Sequence, residues 1–191
     1  MGNKGENKRD RRLFFTLAFL LVVILILAIS VILVDMYNRN FESRRVRLES
    51  ILEEYEEGYL FNPTIAKAFS EEIIDEIDND ASYNYEDAVF DYERAYNKAG
   101  DGLKIYIAIV YADFVYNRSG NANRAVEILE QVEQLIIDDV TRGVYYNALI
   151  KYYKILGEDE KVKYYEQLLS EETPSKEVPL DVVYEMMGGF E

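Results

Sequence analysis

The sequence predicts an all-α protein in which an N-terminal transmembrane helix and a helical stalk precede a right-handed solenoid of about three α-hairpins. Three observations predict this fold class. Positions 13–34 form an uncharged apolar run. After that run, apolar residues recur at helical spacing, and the whole chain contains only three Pro. The helical pattern also repeats at a constant shift of 37 residues, which is typical of stacked helix pairs.

The run LFFTLAFLLVVILILAISVILV, at 13–34, predicts the transmembrane helix. Its 22 residues include no charge, Pro or Gly, and its only polar side chains are Thr16 and Ser30. At about 1.5 Å per residue the helix spans roughly 33 Å, enough for a bilayer core of about 30 Å. A cleavable signal peptide has a shorter apolar core, of about 7–15 residues. A buried core helix is disfavoured because no face of the run is polar. We therefore expect a retained anchor.

Basic residues on both sides of the run bear on its orientation. Five precede it and four follow it, but Arg9, Arg11 and Arg12 lie closest, whereas Asp35 adjoins the other end. Because basic residues favour the cytoplasmic side, we expect residues 1–12 to be a disordered cytoplasmic segment. The C-terminal domain is then extracytoplasmic, on the outer face of the cytoplasmic (inner) membrane. The four later arginines keep a cytoplasmic domain open as the alternative.

Composition excludes several classes of function. The five basic and two acidic residues before Leu13 leave 16 basic and 34 acidic residues after Val34, a formal charge of −18. Such a domain is unsuited to nucleic acid. Cys and His are both absent, which removes disulfides, thiolate nucleophiles, imidazole bases and the usual zinc sites. The chain has no phosphate-binding glycine loop or nucleophile elbow. We expect no enzyme, cofactor or metal. A glycosidase built from carboxylates is the weakest alternative.

The stalk, at 35–62, continues the helix out of the membrane without a breaker. Its apolar residues recur at helical spacing: Phe41, Leu48, Leu52, Tyr55 and Tyr59. Two interpretations stay open. The stalk packs on the domain that follows, or it forms a coiled-coil seam in a homodimer.

Three helix pairs are predicted after the stalk, in a repeat domain at 63–172. At the first break, Pro63 suits the first helical turn and Asn62 its N-cap. The pairs occupy 63–99, 103–137 and 143–170, with helices expected at 63–78, 85–99, 103–118, 123–137, 143–156 and 158–170. The tail, at 173–191, contains seven notable apolar residues: Val178, Leu180, Val182, Val183, Tyr184, Met186 and Met187. We expect it to cap the domain or to occupy a groove in its own or another chain.

The repeat is visible residue by residue. The shift of 37 relates these positions: Tyr116 to Tyr153, Gly120 to Gly157, Ala88 to Ala125 and Val162, and Ala95 to Val132 and Leu169. A single helix pair cannot bury its apolar face alone, so the pairs are expected to stack.

The middle pair resembles the tetratricopeptide repeat. The matching positions are Tyr116, Gly120, Ala125, Leu129 and Val132. The third pair departs from that pattern at Val162 and Glu166. The first pair lacks the residues that are typical of the first helix of a repeat. The period of 37 also exceeds the usual 34. With its single anchor, the chain also resembles the bacterial YfgM-like proteins. That resemblance implies a periplasmic repeat domain associated with the Sec translocon and periplasmic chaperones.

The resemblance to tetratricopeptide repeats also implies a binding face, because the first helices of the pairs line a concave groove in that family. The groove positions in this chain are Val110, Phe114, Asn117, Arg118, Asn147, Lys151 and Lys154. Amide and cationic side chains suit a peptide backbone or carboxylate. We therefore expect a scaffold that binds proteins or peptides during export or envelope assembly. The alternative is a structural accessory subunit that self-associates through the stalk.

Overall fold

The computed structural model describes residues 6–53, 62–136 and 138–171, and within these ranges it describes side chains from Leu17 to Ser170. The described residues form seven α-helices and contain no strand, which confirms the all-α class. The helices are α1 (Glu6–Glu53), α2 (Asn62–Asn79), α3 (Tyr85–Lys98), α4 (Asp101–Ser119), α5 (Ala122–Glu130), α6 (Asp139–Leu156) and α7 (Asp159–Glu171), with a 3-10 turn at Glu133–Leu135. The predictions for the tail and for Tyr55 and Tyr59 lie outside the described residues.

The chain divides into two compact units, Met1–Val46 and Arg47–Glu191. In the first, α1 is continuous, and its apolar side chains from Leu17 to Val34 are exposed. This is the one helix among the described residues that is long and apolar enough to cross a membrane. The Ser30 hydroxyl donates to the carbonyl of Ile26 at 2.9 Å, so its polarity is satisfied within the helix.

The N-terminal segment differs from its prediction. The sequence predicts that residues 1–12 are disordered, but in the described part of this segment α1 already begins at Glu6. Glu, Lys and Arg are good helix formers, so the charged residues before Leu13 extend the helix that the apolar run begins.

The second unit begins at Arg47, inside the predicted stalk. Leu48 is only 4% exposed and belongs to the hydrophobic core of this unit. The helix α4 is central, because α2, α3 and α5 all pack against it. The second and third pairs are close hairpins, α4 with α5 and α6 with α7. In the first pair, α2 packs mainly on α4 and approaches α3 at few backbone positions, so this pair differs from the expected hairpin.

The two later hairpins keep the predicted register. The first helices end at Ser119 and Leu156, and the second helices begin at Ala122 and Asp159, which is a shift of 37 at both places. Gly120 and Gly157 cap α4 and α6 in the left-handed region, with φ of 69° and 72°. A residue without Cβ occupies that region without strain, so both glycines end their helices.

Two helix boundaries differ from the predictions. The helix α6 begins at Asp139 rather than at 143, because the Asp138 side chain accepts from the backbone N–H of Thr141 and caps it. Gly143 is a buried position inside α6 and does not break it. The helix α5 ends at Glu130 rather than at 137. There the Val132 N–H bonds to the Leu129 carbonyl, which tightens the chain into the 3-10 turn.

The outer surface of α7 is polar. Val126 and Leu129 of α5 are buried, and α6 packs against that helix. At the equivalent positions of α7, 37 residues later, the chain has Lys163 and Glu166, and both are exposed. The last described helix therefore presents charge where the inner helix presents apolar side chains.

Candidate functional site

A buried carboxylate joins the first helices of the second and third hairpins. Asp113 lies on α4, in a segment whose neighbours are almost all apolar, and its side chain is 15% exposed. From α6, the Lys151 Nζ lies 2.8 Å from Asp113 Oδ1. The hydroxyl of Tyr152 donates to the same oxygen. Successive residues of α6 thus hold one carboxylate of α4 with a cation and a neutral donor.

Burial sets the electrostatics of this cluster. Loss of water raises the pKa of Asp113 above its ordinary value of 3.8, while Lys151 and Tyr152 act in the opposite direction. Burial also raises the pKa of Tyr152, and the charge of Asp113 adds to that rise. Tyr152 therefore stays protonated at any physiological pH and remains a hydrogen-bond donor.

Aromatic rings form the base of the same region. The rings of Tyr116 and Tyr152 meet edge to face with centroids 5.5 Å apart. Earlier in α4, the ring of Tyr111 stacks on Tyr92 of α3 with centroids 5.2 Å apart. The Tyr92 hydroxyl lies 2.7 Å from the Ser70 hydroxyl of α2. Aromatic contacts of this kind fix ring orientation as well as filling volume, so they hold α2, α3, α4 and α6 in one arrangement.

Two predicted groove residues are buried instead of surface-exposed. Val110 is 6% exposed and Phe114 is 3% exposed, and both belong to the hydrophobic core. The Phe114 ring stacks on Tyr85 at 5.6 Å and packs against Tyr92 at 5.0 Å. These two side chains pack α4 into the core of the second unit, so they are not accessible to a partner of the folded chain.

The other two predicted residues of α4 are exposed. Asn117 and Arg118 lie in its last turn. The Arg118 guanidinium donates to Asp78 Oδ1 of α2 at 2.9 Å. Exposed ion pairs of this type contribute little to stability, about 0–1 kcal/mol, so a competing carboxylate displaces them at small cost.

The predicted residues of α6 are each engaged. The Asn147 amide donates to the carbonyl of Gly143 at 2.9 Å, within its own helix, and Lys151 holds Asp113. The Lys154 Nζ lies 2.9 Å from Glu166 Oε1 of α7, and both side chains are about half exposed. The cations of this face are thus already paired with acids.

We give the name α4–α6 face to the five predicted residues that lie outside the hydrophobic core: Asn117, Arg118, Asn147, Lys151 and Lys154. Sequence reasoning missed its anchoring carboxylate, Asp113. A signal was present, because one acid interrupts the apolar run IYIAIVYADFVY of α4, and a Lys follows 38 residues later on the equivalent helix. A charge inside a core helix needs a partner, and the repeat register indicates where that partner lies.

The described residues contain no group of three or more His, Cys, Asp or Glu that could hold a metal ion.

No protein-family model, curated protein or solved structure matches the chain.

Proposed function

We propose that the protein is a membrane-anchored helical scaffold that binds protein partners. The observation that carries this proposal is the contrast between the two units. The apolar side chains of α1 are exposed over the whole run from Leu17 to Val34, whereas the second unit buries a large core. A long apolar helix with exposed side chains suits lipid, and the adjoining helical unit suits protein recognition.

In this proposal the second and third helix pairs belong to a right-handed tetratricopeptide-like solenoid. The shared end points of the second and third hairpins support this arrangement, as do the left-handed glycines at Gly120 and Gly157. Ala125 of α5 is buried, and α5 packs closely on α4; a small side chain on a packed helix face lets two helices approach closely.

A partner segment binds on the α4–α6 face in this proposal. Asn117 is exposed and offers an amide donor and acceptor to an extended backbone. Arg118 and Lys154 exchange their exposed intramolecular carboxylates for one supplied by the partner. The pair between Lys151 and Asp113 is more buried and keeps the two helices in register beneath the bound segment.

The experiment that tests this proposal places a photocrosslinking amino acid at Asn117 in cells that express the full chain. We expect a discrete adduct, and we expect Lys154→Glu to weaken it, because reversal of that charge repels a partner carboxylate. The matched control is the same amino acid at Glu127, an exposed position of α5. Equal adducts from Asn117 and Glu127, or none from Asn117, contradict the proposed face.

We place the second unit on the extracytoplasmic side of the cytoplasmic membrane, where it assists export or envelope assembly. The basic residues immediately before the apolar run support this orientation. A pair of topology reporters fused after Glu191 tests it. Activity of an extracytoplasmic reporter such as a phosphatase is expected, and activity of only the cytoplasmic reporter reverses the orientation.

Self-association is the second candidate function, and the exposed apolar side chains of α1 beyond the membrane run favour it. Met36, Tyr37 and Val46 are all exposed. The sedimentation of the full chain in detergent distinguishes the two. A dimer that Met36→Glu and Val46→Glu dissociate supports a structural subunit, whereas a monomer supports the scaffold.

A further inference from the structure

The last turns of α1 contact two other helices through ion pairs. A basic residue of α1 contacts α2, and an acidic residue of α1 contacts α3. Arg47 points to α2, where its Nε lies 2.9 Å from Glu72 Oε1 and its Nη2 pairs with Glu76. The two acids are four residues apart, on one face of α2. A single guanidinium thus bridges two successive turns of that helix.

Glu49 makes the corresponding contact with α3, in which one acid of α1 pairs with two bases. Its Oε1 lies 2.6 Å from the Lys98 Nζ and also pairs with Arg94. These two cations are likewise four residues apart. The helices α2 and α3 therefore present two acids and two bases to the end of α1. Only a helix with its basic side toward α2 and its acidic side toward α3 matches both.

Leu48 lies between the two charged residues and is buried in the core of the second unit. Ile51 and Leu52 are half-buried against the same core. Close backbone approaches of α1 to α2 and α3 are sparse compared with those between α4 and α5. The contact therefore depends on one buried side chain, two half-buried ones and a small set of ion pairs.

We propose that Arg47–Glu53 is a segment that reversibly detaches from a docking site formed by the acids of α2 and the bases of α3. We call this segment the latch. In the structure, the docking site is occupied by this segment of the same chain. The ion pairs are partly exposed, so dissolved salt and competing charged helices weaken them. Release exposes Leu48 and opens the site to a helix with the same order of charges. This inference holds whether or not the α4–α6 face binds a partner.

The chain has no cysteine, so a single introduced thiol reports on the latch. The test uses the full chain in a nonionic detergent and measures the rate of maleimide labelling of Leu48→Cys at low and high NaCl. Rates are divided by those of Ser50→Cys, an exposed position on the same turns. We expect the normalised rate to rise roughly threefold or more between about 0.05 M and 1 M salt. The control is Ala125→Cys, at a buried position of α5, a helix that is not part of the proposed docking site. It should stay slow at both salt concentrations.

Charge reversal provides the second measurement. In the Leu48→Cys chain, Arg47→Glu should accelerate labelling at low salt, and the further changes Glu72→Arg and Glu76→Arg should slow it again. The matched control is Arg39→Glu, because Arg39 pairs with Asp35 of its own helix. That change should leave the rate unaltered.

Several outcomes overturn the latch. Labelling that is independent of salt, equal acceleration at Ala125→Cys, or failure of the compensating charges each contradict it. Faster labelling on dilution of the protein shows that a second copy supplies the occupant, which contradicts the intramolecular assignment.

Discussion

Lys151 of α6 lies 2.8 Å from Asp113 of α4, and this ion pair joins two hairpins at a position where few backbone atoms approach. The carboxylate is mostly buried, whereas the lysine stem crosses from one helix to the other and keeps part of its length in water. Such a pair ties neighbouring repeats together without close helix packing.

Breaking this pair from the lysine side should destabilise the domain. Lys151→Met leaves the carboxylate of Asp113 buried with only Tyr152 as a partner. We expect a loss of about 2 kcal/mol in the free energy of unfolding, below the full cost for a wholly buried pair, because Lys151 is partly exposed. Urea denaturation of the full chain in detergent measures it. Lys163→Met, at an exposed position of α7, should change stability little. A loss as large in Lys163→Met contradicts the prediction.

The pH dependence of stability should carry the signature of the Asp113 carboxyl. Its pKa is raised in the folded chain, so the folded state binds more protons than the unfolded state in the range just above pH 3.8. Stability conferred by this group therefore falls as pH rises through that window and is constant above it. We expect the unfolding free energy of the natural chain to decline relative to Asp113→Asn across this range. Parallel profiles of the two chains are the contrary result.

The glycines that end α4 and α6 should resist substitution. Gly120→Ala and Gly157→Ala each place a Cβ in the left-handed region, so each should cost about 1 kcal/mol. The control is Gly100→Ala, since Gly100 has φ of −65° and a Cβ added there would meet no atom within 4 Å. Melting temperatures measured for the three variants test the contrast. Equal effects at all three positions exclude backbone conformation as the cause.

Leu48 should contribute to the stability of the second unit although it lies on the same helix as the apolar run. Leu48→Ala removes a buried side chain, and we expect a loss of about 2–3 kcal/mol. Val46→Ala is the matched control, because Val46 is exposed two residues earlier. Denaturation followed by near-ultraviolet absorption of the buried tyrosines reports on this unit. Indistinguishable curves for the two variants contradict the placement of Leu48 in the core.

The sequence predicts some features well because their causes are local. Gly120 and Gly157 end their helices because glycine adopts the left-handed region without strain, which is a property of the residue itself. The apolar run of α1 is recognised from its composition alone. The helix α6 begins four residues before its predicted start, because Asp138 supplies an N-cap whose effect depends on its backbone conformation. The core position of Leu48 depends on tertiary contacts with helices far along the chain.

The candidate site shows the same division. Exposure of Asn117 and Arg118 follows from helix periodicity, but the burial of Val110 and Phe114 depends on how α3 lies against α4. The pairing of Asp113 with Lys151 depends on the distance between two hairpins. The sequence repeat predicts which positions of the two hairpins correspond, but it does not predict that distance.

Lys163 and Glu166 bear on how the hairpins could associate end to end. A hairpin stacked on the outer side of α7 would meet two charges where it needs apolar contact, so growth of the hairpins into filaments is discouraged. To lengthen the array by engineering, both residues must first be exchanged for the Val and Leu that stand at the corresponding places in α5.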